Sequence, residues 1–171
     1  DQLVFSVRPS EINSTLSGDV YVGVIVEAEA GSSVLPGIPT VAGLTAIASN
    51  VTGNSAFALF RVEREGMQLL QIAGANGTTA GAYSVKLFIA GDANRDTTVD
   101  ALDASLIEAA LGSVTGGATY NANADANRDG VINSTDIHFY RQDLGFIPNQ
   151  APVVLPITAA KTHIDLEIIK S

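Results

Sequence analysis

The sequence contains no cysteine and no tryptophan, and a single methionine among 171 residues. Without cysteine there is neither a disulfide frame nor a thiolate metal site, which excludes thiol redox and zinc-thiolate chemistry and leaves the redox compartment open. Aromatic residues make up 6% of the chain; with no indole to stack on a sugar ring, carbohydrate binding is disfavoured. Lys and Arg number 9 against 18 Asp and Glu, a net charge of -9. Nucleic-acid affinity rests on Lys and Arg neutralising phosphates, so no nucleic-acid partner is expected. No run of about 18 apolar residues occurs, so no membrane span is expected. The opening Asp1-Gln2-Leu3 lacks the basic-then-apolar grammar of a signal peptide, and the sequence reads as a soluble excised fragment.

Catalytic patterns are missing too. No G-x-S-x-G, H-E-x-x-H, Walker or G-x-G-x-x-G motif occurs, and His138 and His163 have no evident nucleophile partner. Glu63 and Glu65 alternate along a strand-like stretch and read as solvent-facing charges. No enzyme activity is expected.

What is present is a core-forming chain, 46% hydrophobic, whose first half reads as short strands. Val20, Val22, Val24 and Val26 alternate with Tyr21, Gly23, Ile25 and Glu27, the pattern of a half-buried strand. Further strands are expected over Leu3–Arg8, Leu44–Ser49, Ser55–Arg64, Met67–Ala73 and Ala82–Ala90, with turns at Gly31-Ser32-Ser33, Pro36-Gly37, Glu65-Gly66 and Asn76-Gly77. About six or seven strands in roughly 90 residues predict an all-β sandwich over residues 1–90.

After Ala90 the grammar changes to Asp/Asn-rich loops followed by helical patterns, in two copies offset by 33 residues. Asp92 falls on Asp125, Asn94 on Asn127, Arg95 on Arg128, Asp96 on Asp129, Asp103 on Asp136 and Gly112 on Gly145. Helices beginning near Ala101 and Ser134 are expected to present Leu102, Leu106 and Ala109, and Ile137, Tyr140 and Leu144, as two apolar faces packed together. Residues 147–171 read as a Pro-rich linker and a C-terminal β-strand, His163–Lys170, which either joins the first domain's sheet or begins another.

Seven of the 18 acids, Asp92, Asp96, Asp100, Asp103, Asp125, Asp129 and Asp136, fall in the two repeats, where they repel one another unless a cation lies between them. Calcium takes six to eight hard oxygen ligands, and a 12-residue loop supplies them from positions 1, 3, 5, 7, 9 and 12. The first repeat offers Asp92, Asn94, Asp96, the carbonyl of Thr98, Asp100 and Asp103. The second offers Asp125, Asn127, Asp129, the carbonyl of Val131, Asn133 and Asp136. Two Ca²⁺ ions are therefore expected. At the sharp turn, position 6, the second loop has Gly130 and the first has Thr97, so the first loop is predicted to be strained and to bind more weakly.

The segments G-D-A-N-R-D-T-T-V-D-A-L-D from Gly91 and A-D-A-N-R-D-G-V-I-N-S-T-D from Ala124 resemble the duplicated units of dockerins, which close their loops with Asp and lack the helix before each loop. The resemblance spans Gly91–Phe146 and implies a small all-α module that binds a cohesin on another protein. Family contacts lie at the tenth and eleventh loop positions and along the following helix. Here these are Ser134, Thr135, Arg141 and Gln142 in the second repeat, and Ala101, Leu102, Glu108 and Ala109 in the first. The familiar Ser-Thr pair implies that the second helix dominates docking.

The stretches A-G-L-T-A-I-A-S-N-V-T-G-N-S and T-T-A-G-A-Y-S-V-K-L-F-I-A resemble bacterial immunoglobulin-like repeats, and such a domain before a dockerin is similar to the X-module pairs of cellulosomal proteins. The expected whole is two domains, an immunoglobulin-like β-sandwich followed by a small all-α dockerin. It would act as a calcium-dependent adaptor in an extracellular or cell-surface assembly. The alternative is a calcium-rigidified structural module of a large surface protein with no cohesin partner.

Overall fold

Side-chain alternation builds two antiparallel sheets. The computed structural model describes residues 1–77, 79–148 and 155–156. Its strands are β1 (Gln2–Val7), β2 (Val20–Ala28), β3 (Thr40–Val41), β4 (Ala46–Thr52), β5 (Ser55–Val62), β6 (Gly66–Gln71), β7 (Tyr83–Ile89) and β8 (Leu155–Pro156). Its helices are α1 (Pro9–Ser14), α2 (Ala101–Ala110) and α3 (Ser134–Asp143). The sheets run β3-β6-β1-β8 and β4-β5-β2-β7. Between them lie Leu3, Phe5 and Val7 of β1, the four even-numbered valines of β2, Phe60 and Val62 of β5, Leu70 of β6 and Val85 of β7.

The predicted strands fall close to β1, β2 and β4 to β7. The short helix α1 and the two-residue β3 were not foreseen. In α1, Pro9 opens the first turn and the Arg8 N–H donates to Glu11 Oε2 at 2.7 Å, local capping that a strand-based pattern search passes over. His163–Lys170 lies outside the described residues. Within the stretch read as linker, Leu155 and Pro156 pair with Val4 and Leu3 at one edge of the first sheet.

The expected fold class needs correcting. The chain is mostly β, with two sheets and few helices, and residues 91–146 are not clearly all-α: they hold two ten-residue helices set among turns, with a bridge between Val114 and Val131. Nor does this segment keep its apolar side chains to itself. Val99 and Phe146 belong to the sandwich core, and Ala126 and Phe139 cover Tyr21, Ile25, Phe57 and Leu59 on the outer face of the second sheet. The strand β2, predicted to be half-buried, is therefore buried on both faces over Val20–Val26. The physical reason is size, because two ten-residue helices bury too little surface to stand alone and borrow a sheet.

The join is close. Gly91, with φ 89°, leaves β7 so near α3 that a Cβ there would sit 2.6 Å from Tyr140 Cα. At the other end Leu16 N–H donates to the Leu144 carbonyl at 2.8 Å, while Val99 exchanges main-chain bonds with Gly145 and Phe146.

The helix faces also differ from expectation. In α2 the buried residues are Asp103, Ile107 and Ala110, and Leu102 and Leu106 are exposed. Ile107 and Ala110 pack with Ala93, Ala124 and Ile132, against which Ile137 and Tyr140 of α3 lean.

Candidate metal centre

Each loop is folded by its own side-chain oxygens, and the two loops repeat the same ladder. The carboxylate at position 1 accepts the position-6 N–H: Thr97 to Asp92 Oδ2 at 3.0 Å, Gly130 to Asp125 Oδ2 at 2.9 Å. The position-3 amide oxygen accepts the position-5 N–H, 2.8 Å from Asp96 to Asn94 and 3.2 Å from Asp129 to Asn127. The position-5 carboxylate accepts the position-7 N–H, from Thr98 at 2.8 Å and from Val131 at 2.9 Å. Position 12 ties both ends of the loop together. Asp103 accepts from Ala93 N and Asp100 N, each at 2.9 Å, and Asp136 from Ala126 N at 2.9 Å and Asn133 N at 2.8 Å.

Position 9 caps the following helix. Asp100 and Asn133 each accept an N–H two residues on, from Leu102 and Thr135, at 2.7 Å. With that oxygen engaged by the helix, Asp100 still has a second carboxylate oxygen, whereas Asn133 has only its Nδ2, which donates to the Val131 carbonyl at 3.3 Å. The turn at position 6 is left-handed in both loops, φ 75° at Thr97 and 89° at Gly130. Only the first places a β-branched side chain there, at a cost of about 1–2 kcal/mol.

Four of the seven loop acids are held out of water, while Asp96, Asp100 and Asp129 are exposed. Asp103, Asp125 and Asp136 are fully buried and Asp92 nearly so. Desolvation raises the Asp136 carboxyl, and lifts Asp92 to about 6 even though the Thr97 N–H opposes it. Tyr120 donates its hydroxyl to Asp125 Oδ2 at 2.6 Å.

Among the described residues, no three acidic or histidine side chains stand close enough to hold a metal by themselves. The ligand sets read from the sequence also draw on Asn and main-chain oxygens. Their chemistry is all hard oxygen, and Asp92 Oδ1 is buried without a hydrogen-bond partner, an acceptor that a hard cation would satisfy. The residues present fit calcium.

Of the sequence-predicted contact residues, Ser134, Thr135, Arg141, Ala101, Leu102, Glu108 and Ala109 are exposed and Gln142 is half-buried. They form two unlike faces, polar on α3 and, Glu108 apart, apolar on α2, where Leu102 is 62% and Leu106 38% exposed. Two residues that sequence reasoning missed fix α3 to the sandwich. Phe139 lies 5.7 Å from the Tyr21 ring, and both oxygens of Asp143 accept the Tyr21 N–H at 3.0 and 3.2 Å. The available signal was departure from the repeat: Phe139 stands where the first copy has Leu106, and Asp143 where it has Ala110.

The family model for the dockerin type I domain matches residues 90–145, which shows a dockerin module in this part of the chain. Dockerin type I domains bind calcium and cohesin partners. Neither the curated proteins nor the solved structures contain a match to the chain.

Proposed function

Starting from that module, we propose that the chain is a non-catalytic adaptor. Its dockerin takes up two Ca²⁺ ions and seats a cohesin module of another protein, anchoring a parent protein in an extracellular, cellulosome-like assembly. The supporting observation is the ladder shared by both loops, in which the position-12 carboxylate ties the loop's start to the cap of the following helix. Calcium, when bound, supplies the positive charge that balances the inward carboxylates. Asp103 and Asp136 then carry loop geometry directly into the attitude of α2 and α3.

The sequence pointed to α3 as the dominant docking face. The exposed Leu102, Leu106 and Ala109 shift our reading to α2, because apolar side chains that become desolvated supply more binding energy than hydroxyls at a wet rim. Ser134, Thr135 and Arg141 would add polar contacts. Immobilised cohesin modules encoded in the same genome test the reading: the chain should be captured in calcium and released by EDTA.

One observation favours a second reading. The module shares its core with the sandwich, as a calcium-rigidified joint in a large surface protein would. Calcium-dependent stiffening without capture by any cohesin would select it.

A further inference from the structure

Arg128 is the fourth residue of the second loop, between Asn127 and Asp129, and its backbone is left-handed at φ 55°, as that of Arg95 is at φ 60° in the same place of the first loop. What sets Arg128 apart is that its side chain meets a sheet. Its guanidinium lies over the Phe88 ring, 5.1 Å from the centroid, with Nε buried and lacking a hydrogen-bond partner. Its carbonyl accepts Asn50 Nδ2 from β4 at 3.1 Å. A cation removed from water in this way is tolerated because the aromatic face replaces part of its hydration.

The platform beneath it is purpose-built. Phe88 of β7 is the register partner of Gly23 in β2, and a Cβ at Gly23 would come within 2.2 Å of the ring. The missing side chain lets Phe88 lie across β2 and stack on Phe57 of β5, centroids 6.1 Å apart. Farther along the same face, Tyr21 receives Phe139 and Asp143. Both the loop and the helix of the second repeat thus rest on one sheet surface.

We infer that Arg128 is a positioning residue through which the sheet β4-β5-β2-β7 holds the second loop in its calcium-binding shape, so that the second calcium site and the β-sandwich act as one cooperative unit. This rests on the calcium reading above. Coupling free energies are reciprocal: if the sheet favours the calcium-bound loop, calcium protects the sheet by the same factor. A dockerin on a free linker would show neither effect.

The test is calorimetric titration of Ca²⁺ into the chelated 171-residue chain, beside Phe88→Leu and Asn50→Ala, with Asp125→Ala to identify the second site. The second site should weaken about tenfold in Phe88→Leu and severalfold in Asn50→Ala, with the first unchanged. Asn50 is exposed, so its variant keeps the fold even if Phe88→Leu does not. Hydrogen exchange on the wild type should show calcium slowing the amides of β2 and β7. Wild-type affinity at the second site in both variants, or exchange in β2 and β7 indifferent to calcium, overturns the inference and leaves the calcium reading standing. A wild-type chain that takes up no calcium overturns both.

Discussion

The two repeats carry the same hydrogen-bond ladder position by position, yet the second is built into a β-sheet while the first turns a helix of uncovered leucines to solvent. Phe139 is 8% exposed and its counterpart Leu106 is 38% exposed. Equal loops have been put to unequal uses, one to hold the module on its sandwich and the other to leave a surface free. Duplication supplies two copies of one folding unit, and a few substitutions on the helix that follows decide what each copy faces.

Removing calcium should have the largest effect, because it acts on both repeats. Each site contributes about 2.7 kcal/mol at a hundredfold excess over Kd, so EDTA should lower stability by about 5 kcal/mol and the melting temperature by roughly 10–20 °C. Circular dichroism on heating measures this. Unchanged helix content and midpoint would remove the ions from the account altogether.

The next effect separates the repeats. Phe139→Ala should cost about 3–4 kcal/mol by emptying its contact with Tyr21, whereas Leu106→Ala should cost under about 1 kcal/mol because that side chain is already partly in water. Urea denaturation of the two variants compares them directly. Equal losses would mean that α2 is covered as fully as α3.

The same contrast can be read in docking. Leu102→Asp with Leu106→Asp should weaken cohesin capture by about 2 kcal/mol or more, and bulky replacements at Ser134 and Thr135 by less. The reverse ranking in surface plasmon resonance would return the dominant face to α3.

A smaller effect concerns the loops. Thr97→Gly removes a β-branched side chain from φ 75° and should tighten the first site by about 1 kcal/mol, against any benefit of the additional carboxylate at Asp100. Titration calorimetry on this variant decides between strain and charge, and unchanged or poorer affinity would mean that charge dominates.

Much of this was legible in the sequence. The strands follow from alternation, and the loops follow from oxygen-bearing residues at fixed spacing, because both are local rules. Thr97 was predicted to sit in a strained turn, and it does. The packing of the two parts against each other was not legible. Tyr21 and Ile25 read as the solvent side of β2 until Phe139 and Ala126 are seen to cover them. Asp143 reads as a helix-end acid until it is found buried on the Tyr21 N–H. Such contacts join residues more than a hundred positions apart, and no periodicity records them.

Asp143 also gives the mildest prediction. Desolvation holds its carboxyl well above the ordinary 3.8, with Asp19, itself paired to Arg61, adding to the shift and the Tyr21 N–H opposing it. A folded value above the unfolded one means stability that is fully present below 3.8 and lost as pH rises through the folded value. Melting temperatures of the wild type should therefore decline over that rise, and those of Asp143→Asn should decline less. Identical pH profiles would show that the buried carboxyl does not set the slope.

Capture of the 171-residue chain on immobilised cohesin modules from the same genome, in calcium and again in EDTA, bears most directly on the proposed adaptor role. Capture in calcium that is lost on chelation and restored when calcium is returned is the expected result. Capture that survives EDTA, or no capture by any cohesin while calcium is bound, would contradict a calcium-dependent adaptor.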